Sequence, residues 1–146
     1  MTSNSNTPLQ LGFRTPAEWE KHEATWIAWP HNKDTWKNID EIEETYIEIV
    51  KALHTEEKVN ILVNSKDAEQ NVKSKLIKNK IIANVFFYVI PTVDVWIRDY
   101  GPNFIIKKES HKTEIAFNHW NFNAWGNKYE DLKKDCLIPE KMNNFL

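Results

Sequence analysis

Asn84-Val85-Phe86-Phe87-Tyr88-Val89-Ile90, closed by Pro91, is the stretch on which the fold turns. Its apolar, β-branched and aromatic residues run almost without interruption. A short run of this kind that does not alternate reads as a strand buried on both faces. Upstream, Lys58–Asn64 reads as a second strand, and Asn64-Ser65 offers an N-cap for a helix with Ala68, Val72, Leu76 and Ile77 toward the core. Before that, Ile39, Ile42, Tyr46, Ile49, Val50 and Leu53 recur at three- and four-residue spacing, which predicts an amphipathic helix over 38–55. Ala24–Trp29, closed by Pro30, reads as a strand, Asn32–Trp36 as a polar loop, and Thr15-Pro16 as a helix start. Downstream, Asn103–Lys107 and Glu114–Asn118 flank a polar turn and predict a hairpin. From His119 onward the chain is aromatic and polar, broken by Gly126 and Pro139. The order β-α-β-α-β-loop-β-β places the chain in the α/β (α+β) class. Residues 1–12 read as a polar arm and 13–146 as the folded portion.

Composition narrows the function classes. The chain has 146 residues, 41% apolar and 27% charged, which is globular. A net charge of -2 argues against non-specific nucleic-acid binding, which runs on Lys/Arg excess. One cysteine cannot form an internal disulfide. No apolar run reaches the roughly 18 residues of a membrane span. Met1–Gln10 lacks the basic and apolar regions of a secretory leader, so a cytoplasmic setting is expected. The five histidines show no zinc-type spacing, and no metal or other cofactor is expected. Two features are unusual: seven tryptophans, most of them expected in the core, and only three glycines, few for the turns and helix caps of an α/β domain.

Asp94-Val95-Trp96-Ile97-Arg98-Asp99-Tyr100-Gly101-Pro102 carries the chemistry. It follows the strand at 84–90, and ligand sites in α/β proteins favour the loops at strand C-terminal ends. Two carboxylates, one guanidinium and two aromatics stand in one turn. Such groups also make structural ion pairs and core contacts, and composition alone weighs the two readings about equally.

Residues 96–102, Trp-Ile-Arg-Asp-Tyr-Gly-Pro, resemble the signature of the agmatine deiminase and bacterial peptidylarginine deiminase family. Three further segments match in order: Thr15–Glu20 with His22–Trp26, Ala28–Asn32 with Asp34–Trp36, and Phe122–Tyr129. The resemblance implies the pentein fold, a five-bladed α/β propeller, of which this chain would hold roughly the first two ββαβ units. It implies hydrolysis of a guanidinium to a ureido group with release of ammonia, through a Cys-bound thiouronium intermediate, with no cofactor. Asp99 matches the substrate-gripping aspartate, and its carboxylate is the bidentate match for a guanidinium. Trp96 matches an aromatic of the substrate pocket, and Trp125 is a weaker candidate beside it. Asp94 either adds negative potential to the site or orients Arg98. Arg98 and Gly101 are expected to anchor the loop. Phe122–Gly126 follows the agmatine-type pattern, and no arginine follows Arg98 to pair a peptide carboxylate.

Cys136 is the one thiol, and Asp135 before it would disfavour a thiolate, so a structural role is expected. The resemblance places the nucleophile, its His and a second acidic residue beyond residue 146. The 146-residue chain alone is therefore expected to be inactive, and the cut through a ring of similar units would account for the missing glycines. Two other classes stay open: a non-catalytic module binding a guanidine or amine, and a homo-oligomer joined through unpaired strand edges.

Overall fold

A computed structural model describes residues 6–146. The part of the arm at 1–5 lies outside them, and residues 7–13 form turns closed by Leu11 N–H to Thr7 and Phe13 N–H to Pro8. Three parallel strands, β1 (Ala24–Ala28), β2 (Lys58–Val63) and β3 (Val85–Val89), lie in the order β1-β2-β3. Helices α1 (Ile39–Leu53) and α2 (Lys66–Lys78) make the two crossovers. Ser65 caps α2, its Oγ accepting from Ala68 N–H at 3.1 Å. One turn, α3 (Ile97–Tyr100), follows β3, and then comes the antiparallel hairpin β4 (Asn103–Lys108) and β5 (Thr113–Asn118). Arg14 bridges to Ile106 at the hairpin's edge. The chain closes with a 3-10 run, Glu130–Leu137, and helix α4 (Ile138–Asn143).

Strand β2 is the one buried on both faces. Val59, Ile61 and Val63 meet Ile47 and Val50 of α1 and Val72 and Leu76 of α2. Leu62 points the other way, into a second core with Ala28, Ile90, Tyr100, Phe122, Ile138 and Met142. The reading of 84–90 as a strand holds, but its burial does not. β3 lies at the sheet edge, and Phe86 is 45% exposed. An apolar run in sequence does not tell a central strand from an edge strand whose outer groove lies open.

Other expectations are corrected in the same way. Ile47 enters the core where Ile49 was expected, and Ile77 faces solvent. Residues 15–20 form a turn without a helix. Of the seven tryptophans only Trp29 is buried, Trp26, Trp36 and Trp96 are half-buried and Trp19, Trp120 and Trp125 are exposed, so most of the tryptophan excess is not core. The shortage of glycine has a local answer, because Lys80, Asn84, Ala124, Trp125 and Asn127 take positive φ themselves. Lys80 closes α2 in a Schellman motif: its N–H meets Ile77 C=O, and Ile81 N–H meets Leu76 C=O, each at 2.9 Å.

A left-handed position costs a side-chain-bearing residue about 1–2 kcal/mol. Lys80→Gly should therefore raise unfolding free energy by about 0.5–1 kcal/mol in urea denaturation, after the glycine's greater unfolded-state entropy. Leu62→Ala should cost about 2–5 kcal/mol, against less than about 1 kcal/mol for the edge residue Phe86→Ala.

Candidate functional site

The C-terminal ends of three parallel strands open on one side, and the loops that leave them are stitched together. After β2, the Asn64 side chain donates to Thr92 C=O and accepts from Thr92 N–H, both at 3.0 Å. After β1, Asn32 Oδ1 accepts from Asp34 N–H at 3.0 Å, an Asx turn that lifts Thr35 and Trp36 toward the loop after β3. A ligand crevice at the carboxyl end of a parallel sheet is the expected place for function in this architecture.

Asp94 sits where the loops meet and is 1% exposed. One carboxylate oxygen accepts from Trp36 Nε1–H at 3.0 Å and Val95 N–H at 2.8 Å. The other accepts from Thr35 Oγ1–H at 2.6 Å. The Tyr100 hydroxyl donates to Asp94 C=O at 2.8 Å. Burial pushes the Tyr100 hydroxyl well above the ordinary tyrosine range, so it stays a donor. Asp94 does not orient Arg98, as one expectation had it. Arg98 reaches out to Glu18, and both side chains are exposed. That pair instead ties the turn at 15–20 to α3.

Trp96 precedes α3, half-buried. Its ring packs on Trp36, with centroids 5.6 Å apart, and meets the edge of Trp125 at 5.9 Å. Asp99 N–H donates to Trp96 C=O at 2.9 Å, so the carboxylate stands one turn beyond the indole. Asp99 is exposed, and its side chain has no hydrogen-bond or ion-pair partner among the described residues. Gly101 closes the turn: its N–H donates to Ile97 C=O at 2.7 Å, and an added Cβ would lie 2.3 Å from that oxygen.

Trp125 is presented by a strained device. Ala124, Trp125, Gly126 and Asn127 all have positive φ, at 52°, 52°, 78° and 64°. Asn123 Oδ1 accepts from Gly126 N–H at 2.9 Å and Asn127 N–H meets Asn123 C=O at 2.7 Å, closing a left-handed turn. Such runs of side-chain-bearing residues persist where surrounding contacts over-determine them, and they cluster at functional sites. Here buried Ala124 roots the turn, and Trp125 stands edge-on to Trp96, Phe122 and Tyr129.

The structure thus packs Trp96 with Trp36 and Trp125, buries Asp94 two residues before Trp96, leaves Asp99 exposed one turn beyond it, and sends Arg98 away to Glu18. In the sequence Asp34–Trp36 is part of a polar loop and of a family-matching segment, with no role given to Thr35 or Trp36; the structure shows both donating to the buried Asp94. Cys136 forms no thiol–imidazole pair. Its Sγ–H donates to Asn121 Oδ1 at 3.4 Å, and His119 contacts its backbone oxygen at 2.7 Å. Among the described residues, no group of three or more His, Cys, Asp or Glu side chains is placed to hold a metal ion. No described helix is long and apolar enough to cross a membrane.

A buried acidic loop hub, an exposed carboxylate and three packed indoles thus stand at the carboxyl end of the parallel sheet. Residues 14–146 match the model of the Porphyromonas-type peptidyl-arginine deiminase family, and the chain belongs to that family. An agmatine deiminase of Medicago truncatula is 32% identical over 94% of this chain and 38% of its own length. One of Pseudomonas aeruginosa is 35% identical over 86% of this chain and 32% of its own. The solved structure of C. jejuni agmatine deiminase with substrate bound superposes with TM-score 0.70 at 30% identity, over 89% of this chain and 36% of that one. The chain therefore spans about a third of the length of the relatives it matches, and its mixed α/β fold is theirs.

Gly101→Ala tests the tight turn. Overpacking against the Ile97 carbonyl should cost about 1–3 kcal/mol in thermal unfolding. Gly126→Ala, where no atom lies within 4 Å of an added Cβ, should cost only the left-handed penalty of about 1–2 kcal/mol.

Proposed function

We propose that this chain is the N-terminal portion of an agmatine deiminase-type hydrolase, which converts agmatine and water to N-carbamoylputrescine and ammonia. The unpartnered carboxylate of Asp99 beside an ordered indole carries this reading. A guanidinium offers paired, planar N–H donors, and one carboxylate accepts two of them. Trp96 and Trp125 cover the alkyl chain or the cation with their faces. Fixing the planar group leaves its central carbon open to attack from one side. Asp94 acts beneath the site by holding Trp36 and the loop, and Arg98 and Gly101 anchor that loop at its ends.

The nucleophile is not assigned to this chain, because Cys136 and His119 are engaged elsewhere. In the thiouronium route the thiolate adds to the guanidinium carbon, ammonia leaves, and water releases the ureido product; all of this is assigned to residues beyond 146. On this reading the three-stranded unit and the β4–β5 hairpin belong to the first two units of a pentein propeller, and the whole protein is a cytoplasmic enzyme of polyamine synthesis. The family also takes peptidyl-arginine, and that is the second reading. Between Arg98 and residue 146 no arginine stands ready to pair a peptide carboxylate, which favours a substrate without one. A module that binds a guanidine without turnover is the third.

The test is incubation of the gene product carrying this chain with agmatine and, separately, with a peptidyl-arginine substrate. N-carbamoylputrescine and ammonia are expected from the first. Asp99→Asn should keep the thermal unfolding midpoint and lower kcat/KM by roughly 100-fold or more. Rates equal to wild type would show that Asp99 does not grip the substrate.

A further inference from the structure

The 3-10 run at Glu130–Leu137 holds a buried acid that none of the preceding roles uses. Asp135 is 1% exposed. Its two oxygens accept from successive backbone N–H groups of the loop after β3, Val93 at 2.7 Å and Asp94 at 3.2 Å. These residues lie 42 and 41 positions earlier in the chain, so the contact joins the C-terminal segment to the site loop. A carboxylate bonded to backbone N–H groups is among the stronger hydrogen-bond arrangements. Sequence alone showed Asp135 only as the neighbour of Cys136.

The consequence lies in what those two amides carry. Asp94 N–H is held by Asp135, and the Asp94 side chain in turn holds Val95 N–H, Thr35 and Trp36. Trp36 packs on Trp96, and Trp96 C=O receives the Asp99 N–H. The path from Asp135 to Trp96 and the backbone of Asp99 therefore runs through hydrogen bonds and one ring-packing contact. The same C-terminal segment packs Leu132, Cys136, Ile138 and Met142 against the core that includes Tyr100 and Phe122. Asp135 is thus itself held in place.

We propose that Asp135 is a positioning residue for guanidine recognition: its two-oxygen grip on Val93 and Asp94 fixes the loop that aims Trp96 and Asp99. This role rests on the agmatine reading above. Burial raises the Asp135 carboxyl above the usual range, while the two N–H bonds and His31 pull the other way. The acid is therefore a costly group to keep in the core, and it makes contacts that an apolar residue could not replace.

The experiment uses the gene product carrying this chain, as wild type, Asp135→Asn and Asp131→Asn. Asp131 lies exposed on the same 3-10 run and pairs only with Lys134, so its variant serves as the control. Asparagine keeps one acceptor but turns an N–H₂ donor toward the second amide. Amide exchange at Val93 and Asp94 should rise roughly 10- to 100-fold in Asp135→Asn, while the β2 amides keep their protection. KM for agmatine should rise roughly 10- to 100-fold, with kcat within about threefold of wild type. Asp131→Asn should change neither. A loosened loop with unchanged KM makes Asp135 mere scaffolding and overturns the proposal. So does a fall in kcat at constant KM, the sign of a smaller folded fraction. If Asp135→Asn does not fold, wild-type exchange decides: Val93 and Asp94 amides as protected as those of β2 support the grip, and exposed-loop rates refute it. A wild type that neither binds nor turns over agmatine sinks the agmatine reading, and this role with it. Wild-type turnover with an insensitive Asp135→Asn sinks Asp135 alone.

Discussion

A carboxylate shut away from water must be matched by donors, and Asp94 is matched by three at 3.0 Å or less, from three residues. Leaving such a buried charge without its partners costs several kcal/mol, on the order of 3–5 kcal/mol by analogy with broken buried pairs. The loop after β1 and the loop after β3 can therefore take only the arrangement that supplies those donors. That constraint orders the rest of the site. Trp36 is oriented by its indole N–H, Trp96 by Trp36, and α3 begins on the residue that Trp36 supports. The Tyr100 hydroxyl closes the same circuit from below by reaching back to the Asp94 carbonyl.

The two sides of the surface are built on different physics. The Trp96 side is fixed by hydrogen bonds to buried acids. The Trp125 side is fixed by a left-handed turn, unfavourable in itself, whose root at Ala124 is buried in the second core. Both depend on the C-terminal segment, which covers the β2 face that the helices leave bare. The same segment covers that face and bonds the site loop. Asp99, which ends with no partner, is the exception in a region where polar groups are otherwise paired. In the proposed function that exposed carboxylate, on a scaffold of paired groups, is the place for a cation.

Much of the fold was legible because periodicity reports on one chain segment at a time. The spacing in α1, the Ser65 cap and the hairpin were all local facts. Which strand lies in the middle was not, since the difference between β2 and β3 is made by Phe122, Ile138 and Met142, far along the chain. The Trp-Ile-Arg-Asp-Tyr-Gly-Pro stretch was legible as a family segment, and as a candidate site, through its chemistry and its resemblance. Trp36 and Asp135 were not, because each gains meaning only from a contact across the fold. The scarcity of glycine is met by other residues taking positive φ, Lys80 in the motif that closes α2 and Ala124 and Trp125 in the left-handed turn.

The central claim is that Asp99 and the adjacent indoles receive a guanidinium. A crystal structure of the gene product carrying this chain with agmatine bound tests it most directly. The account predicts both Asp99 oxygens within about 3.2 Å of guanidinium nitrogens, with Trp96 against the ligand and the Asp94 contacts unchanged. Agmatine bound elsewhere, or seated here with Asp99 turned to solvent, would contradict it.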